Sequence, residues 1–162
     1  MLVVCTGNIC RSPTGEGILR DKALAKGLGD RVRVSSAGTH DYHVGDPPDR
    51  RAIDHAARRG YDLSRQRAAQ VTRQDFDSYD YILAMDRGHL RLLKNMQPAG
   101  SRARLGLFLD ASARWKGEDV PDPYYGGPEG FELVLDMVEE AADRWLERIA
   151  AESDPAAFRL QG

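Results

Sequence analysis
Four short apolar stretches, rich in β-branched or aromatic residues, stand out along the chain: Leu2–Cys5, Val32–Ser36, Tyr79–Met85 and Arg104–Leu109. Stretches of this length and continuity predict strands buried on both faces, as in parallel sheets. Between them the pattern changes to helical spacing. Pro13 sits where a helix begins, and Ile18, Leu19, Ala23, Leu24 and Leu28 follow at helical intervals before Gly29. The stretch from Asp49 to Arg59 carries Ile53, Ala56 and Ala57 and stops at Gly60. The longest pattern is the last, in which Phe131, Val134, Leu135, Val138, Ala142, Trp145, Leu146 and Ile149 keep to one face through several turns.

Strands alternating with helices predict an α/β domain: a three-layer, doubly wound sheet of about four parallel strands with helices on both faces. No repeat, low-complexity tract or linker divides it, so residues 1–152 are expected to form one domain and 153–162 a flexible tail. In such sheets ligands bind beyond the carboxyl ends of the strands, and Cys5 stands at one of those ends.

Composition narrows the classes. The chain has 162 residues, 41% hydrophobic and 30% charged, with a formal net charge of −2. That is globular composition, with no electrostatic pull toward nucleic acid or an anionic membrane. No stretch approaches the roughly 18 apolar residues of a spanning helix, and the apolar opening Met1–Cys5 is too short for a signal peptide. With Cys5 and Cys10 as the only cysteines, a disulfide scaffold is excluded and a reducing, cytoplasmic setting is expected. His40, His43, His55 and His89 show no metal-ligand spacing and read mostly as surface residues. Neither a phosphate-loop lysine motif nor a dinucleotide fingerprint is present, so no metal and no cofactor is expected.

The segment Cys5-Thr6-Gly7-Asn8-Ile9-Cys10-Arg11-Ser12-Pro13 runs from the first strand into the first helix. A short loop entering a helix gathers backbone N–H groups into one concavity at the positive end of the helix dipole, which suits an anion. Gly7 is expected to supply a backbone shape closed to other residues, and Asn8 tolerates positive φ. A cysteine at the head of such a cradle sits where its thiolate, the nucleophilic form, is favoured. Arg11 offers a planar guanidinium that matches two phosphate oxygens at once, and Ser12 a hydroxyl for the thiolate. Cys-x5-Arg alone is a weak signal, since a cysteine closing a buried strand is commonly a small core hydrophobe. Gly7-Asn8, the trailing Ser12-Pro13 and the strand-to-helix position tip the reading toward chemistry.

This loop resembles the phosphate-binding loop of the low molecular weight protein-tyrosine phosphatases. The likeness continues in Ser35-Ser36-Ala37-Gly38-Thr39, in Tyr42-His43-Val44-Gly45-Asp46-Pro47-Pro48-Asp49, in Asp80-Tyr81-Ile82-Leu83-Ala84-Met85-Asp86 and in Asp122-Pro123-Tyr124-Tyr125. The resemblance implies Cys5 as nucleophile, Arg11 with the loop residues Thr6, Gly7, Asn8, Ile9, Cys10 and Ser12 as phosphate-binding, and Asp122 as general acid and base. Without it, Asp122-Pro123 reads as a plain turn signal. It also implies a substrate slot walled by Ile9, Tyr42, Tyr124 and Tyr125, a phosphotyrosine-containing protein as substrate, and a monomer or weak dimer. Family members often carry a histidine and an arginine in the segment after Ser64 that brace the loop. Here the run is Ser64-Arg65-Gln66-Arg67-Ala68-Ala69-Gln70, with a glutamine in the histidine's place, which leaves open how a network through Asn8 and Ser36 is completed.

Three other readings compete. Protein-arginine phosphatases share the fold and loop but tend to carry threonine at the place of Ile9 and to lack the paired tyrosines after Asp122-Pro123. Thiol-dependent arsenate reductases need further cysteines downstream, and none follows Cys10. A non-catalytic phosphotyrosine-binding module should have lost the nucleophile, the arginine or the acid. Cys10 has two readings, a reversible disulfide partner for Cys5 or a small packing residue.

Overall fold
The computed structural model describes residues 1–153. The four strands are β1 (Leu2–Cys5), β2 (Ser35–Gly38), β3 (Tyr81–Ala84) and β4 (Arg104–Leu107). They form one sheet in the order β2-β1-β3-β4. Every pairing is parallel, with Leu2 opposite Ser35 and Ile82, and Tyr81 opposite Arg104. The helices are α1 (Arg11–Ala25), α2 (Arg50–Arg58), α3 (Asp75–Ser78), α4 (Arg87–Met96) and α5 (Pro128–Ser153).

Successive side chains of a strand point to opposite faces, and β1 and β3 divide their residues accordingly. Val3, Cys5 and Leu83, with Met85 just past β3, pack into a cluster with Ile18 and Leu19 of α1, Ala52 and Ala56 of α2 and the apolar face of α5. Leu2, Val4, Ile82 and Ala84 pack on the other side with Phe76 of α3 and Leu93 of α4. The sheet is therefore the middle of three layers, as expected. The apolar face of α5 is buried from Phe131 to Leu146, with Ile149 partly so.

Several expectations shift, and the strand expected over Tyr79–Met85 is confined to Tyr81–Ala84. The stretch Val32–Ser36 gives its strand later, at Ser35–Gly38, because β1 supplies a ladder only from Leu2 onward. Val34 is buried against the core without belonging to that ladder. Hydrophobicity there reports burial, not pairing. At the other edge the strand stops at Leu107, and Phe108–Ala111 turn into a short 3₁₀ helix in which the Asp110 carboxylate accepts the Leu107 N–H at 2.9 Å. Helix α4 was not foreseen. Asp86 caps it by accepting the His89 N–H at 2.9 Å, a start signal that the apolar run of β3 masks. Ser153, placed in the expected tail, is the last residue of α5, and the rest of that tail, 154–162, lies outside the described residues. Among the described residues no helix is long and apolar enough to cross a membrane.

Candidate active site
The loop between β1 and α1 lies at the carboxyl edge of the sheet. It forms part of the wall of a cavity of about 250 Å³, with Cys5, Thr6, Gly7, Ile9, Cys10 and Arg11 on one side and Tyr42, His43, Asp122, Tyr124 and Tyr125 on the other. A larger groove of about 530 Å³ opens at another part of the surface, lined by Arg33, Arg104 and Glu152 among others, and holds no cysteine.

Loop shape follows from local chemistry and close approach. Asn8 adopts φ 58°, alone among non-glycine residues of the described chain. Gly7 does not take positive φ; what it supplies is room. A Cβ there would meet the Cδ2 of His43 at 2.9 Å, so a larger residue would push that imidazole off the loop. Gly38, closing β2, is pressed as tightly, since a Cβ would stand 2.7 Å from the Thr6 carbonyl oxygen. Among the described residues, no protein acceptor takes the N–H groups of Gly7 through Ser12. Such free donors at the start of α1 make an anion cradle.

Beneath the cradle runs a directional hydrogen-bond chain. Glu16 is a buried carboxylate and can only accept, so the Ser36 hydroxyl donates to it at 2.9 Å. The Ser36 oxygen then accepts one Asn8 amide hydrogen at 2.9 Å, and the other goes to the Ser12 oxygen at 2.8 Å. The Ala69 N–H, donating to Asn8 Oδ1 at 3.0 Å, fixes which way that amide points. The Ser12 oxygen also lies 2.9 Å from the Cys5 sulfur, nearer than the Ala37 carbonyl at 3.4 Å. The network left open by Gln66 therefore closes without it. Gln66 Nε2 donates to the Pro13 carbonyl at 2.9 Å, away from Asn8, and its Oε1 has no partner among the described residues. The Asn8 and Ser12 side chains are buried under the loop, off the cavity wall, while their N–H groups belong to the cradle.

Arg11 is 5% exposed. Its Nη1 donates to Asp86 Oδ2 at 2.8 Å and to the Val120 carbonyl at 3.0 Å, which fixes the guanidinium plane. Its Nη2 stands 3.8 Å from Asp122 Oδ2. Burial pushes Asp86 up, but the His89 N–H and the Arg11 guanidinium outweigh it and hold the carboxyl below its ordinary value. Asp122 is half exposed on its loop, where Oδ1 accepts the Tyr124 N–H at 3.0 Å. Burial, then the nearby Asp49 carboxylate, push the Cys10 thiol up, which keeps it protonated.

All four expected slot residues reach the cavity wall, and His43 joins them. Its position between Tyr42 and Val44 was the available signal, since neighbours on a short loop can face one opening. Tyr42 stacks on His40 with ring centres 5.0 Å apart. Tyr124 meets Tyr125 edge-on at 4.9 Å, and the Arg51 guanidinium lies over Tyr124 at 5.3 Å. Two histidines expected at the surface are buried: His55, its Nδ1 2.7 Å from Glu132, and His89, its Nε2 2.7 Å from Thr6 Oγ1.

Residues 1–154 match the family model described as low molecular weight phosphotyrosine protein phosphatase. A Streptomyces coelicolor low molecular weight protein-tyrosine-phosphatase is 42% identical over 142 residues, 86% of each chain. The structure of a protein tyrosine phosphatase from Entamoeba histolytica superposes with a TM-score of 0.89 at 33% identity, covering 94% of this chain and 97% of the other. A Drosophila arginine phosphatase also superposes, at a TM-score of 0.85 and 30% identity, over 91% of this chain and 95% of the other.

Proposed function
This chain belongs to the low molecular weight phosphotyrosine protein phosphatase family, and from that premise we propose that it hydrolyses phosphotyrosine in proteins through a phosphocysteine on Cys5. The observation that carries the reading is the Cys5 sulfur at the head of a cradle of free N–H groups, 2.9 Å from the Ser12 hydroxyl, whose oxygen takes an Asn8 amide hydrogen.

The phosphoryl oxygens lie in the cradle, held by the loop N–H groups and by the edge of Arg11 that Asp86 leaves free. The Cys5 sulfur attacks phosphorus as the bond to the phenolic oxygen breaks, and Asp122 passes its proton to that oxygen. In the second step Asp122 takes a proton from water, the water oxygen bonds to phosphorus, and the sulfur–phosphorus bond breaks. The Ser12 hydroxyl stabilises the departing thiolate in that step. Cys10, kept protonated, is a spectator to both.

Walls made of Ile9, Tyr42, Tyr124 and Tyr125 suit a flat phenyl ring, which favours phosphotyrosine over phosphoarginine. Free thiols at Cys5 and Cys10 support a cytoplasmic enzyme, and the family membership a monomeric or weakly dimeric one. It acts on phosphoproteins, with residues 1–152 as one domain and without nucleic acid, membrane or metal.

The test is hydrolysis of a phosphotyrosyl peptide, with chelator present, by wild type, Cys5→Ser and Asp122→Asn, with a phosphoarginyl peptide alongside. Turnover of the phosphotyrosyl peptide by wild type and none by Cys5→Ser is expected. Cleavage of phosphoarginine alone would keep the loop chemistry and overturn the reading of the slot.

A further inference from the structure
His89 belongs to neither the cradle nor the slot, yet it touches the supports of both ends of the loop. It is the third residue of α4, 5% exposed, and reaches the site from the far side of Arg11. Its Nε2 lies 2.7 Å from Thr6 Oγ1, at the residue that follows Cys5. Its backbone N–H donates to Asp86 Oδ1 at 2.9 Å, and its Nδ1 stands 3.1 Å from the same oxygen. Asp86 Oδ2 takes the Arg11 guanidinium at 2.8 Å. His89 thus reaches the start of Cys-x5-Arg through its ring and the end of it through its backbone N–H and Asp86.

The protonation state gives the contact a direction. Burial lowers the His89 pKa to about 4, against the pull of Asp86, with Arg11, Asp122 and His40 also facing the ring. A neutral ring carries one hydrogen. A bare Nδ1 would oppose its lone pair to an Asp86 oxygen at 3.1 Å, so the hydrogen sits on Nδ1, although its angle to that oxygen is too poor for a full hydrogen bond. Nε2 is then an acceptor, and the Thr6 hydroxyl donates to it, away from the cavity. Thr6 is pinned from the other side by the His40 N–H, which donates to its carbonyl at 3.0 Å.

We propose that His89 is a positioning residue for phosphate binding, its ring holding Thr6 through Nε2 while its backbone N–H holds the Asp86 carboxylate that Arg11 meets. The inference rests on the proposed function and adds to it a brace from α4, separate from the chain through Asn8, Ser36 and Glu16.

Binding of inorganic sulfate, measured by titration calorimetry, tests the brace without turnover, and kcat and KM on the phosphotyrosyl peptide test its consequence. Thr6→Val and His89→Ala should each weaken sulfate binding and lower kcat/KM by about tenfold, the scale of one buried hydrogen-bond partner left unpaired. The double variant should be little worse than either single one, because both cut the same contact. His89→Gln, whose side-chain carbonyl can accept from Thr6, should restore most of the loss, which a role in folding alone would not predict. Sulfate affinity and kcat/KM within about twofold of wild type in Thr6→Val, or losses that multiply in the double variant, overturn the proposal. If His89→Ala does not fold, Thr6→Val and its combination with His89→Gln decide by the same criteria. Wild type that binds sulfate but cleaves no phosphotyrosine overturns the functional reading alone, and the brace is then judged on sulfate affinities.

Discussion

At the floor of the cavity Asn8, Arg11 and Ser12 are buried, and each makes two or three hydrogen bonds. At the rim Tyr42 is 69% and Tyr125 92% exposed, and what holds them is ring contact with a neighbour. The difference is one of cost. A buried polar group without its partner loses its hydration for nothing, so a floor of such groups tolerates one arrangement. An exposed ring pays little to move, so a rim of rings can adjust to what enters. The floor therefore fixes the chemistry, and the rim sets which substrates reach it.

Substitutions graded from floor to rim should break or sharpen this contrast. The largest effect is expected for Cys5→Ser, a fall in kcat on the order of 10⁵ with the protein still folded and still binding phosphate. Residual turnover near the wild-type rate would move the nucleophile elsewhere. Asp122→Asn should lower kcat about 10²- to 10³-fold, and more for poor leaving groups than for good ones, as a series of aryl phosphates would show. A loss independent of the leaving group would remove Asp122 as proton donor.

Next comes Asn8→Gly, which keeps the positive φ but cuts all three amide bonds. A fall of about 30-fold in kcat/KM is expected, together with a Tm lower by several degrees. A change in Tm without a change in rate would show that the chain through Asn8 does not orient Ser12. At the rim, Tyr125→Ala should raise KM no more than about threefold and leave kcat alone, because a ring so exposed has little contact to lose. A larger fall in kcat would mean that the rim takes part in the chemistry.

The same comparison has a stability side. Folding lowers the His89 pKa from 6.5 to about 4, by burial above all. Between those values the unfolded chain takes up a proton and the folded one does not, so acid favours unfolding. Stability is lost as pH falls through that window, by roughly 3 kcal/mol at most. Thermal melts from pH 7 to pH 4 should fall less steeply for His89→Gln than for wild type, since the Asp86 contribution is common to both. Equal slopes would contradict a neutral buried His89.

The order of the four strands with helices α1, α2 and α5, the place of the loop at a strand end and the face of α5 could all be read from the chain. Each depends on signals within a few residues: an apolar run, a Pro or Gly stop, or periodicity from Phe131 to Leu146. Asn8 could be read for the same reason, since tolerance of positive φ belongs to the residue itself. What only the tertiary structure decided are the contacts between distant positions. Arg11 meets Asp86 and Val120, Thr6 meets His89, and Gly7 makes room for His43. No local pattern marks these partners, because parallel strands are joined by long crossovers and their carboxyl ends meet only once the sheet has formed. Asn8 and Ser12 belong to both lists: their residue types fit the loop, but which way their polar atoms turn follows from Ser36, Glu16 and Ala69 packing against them. The sequence determined which groups could do this chemistry, and the fold decided which of them face the cavity and which support it from below.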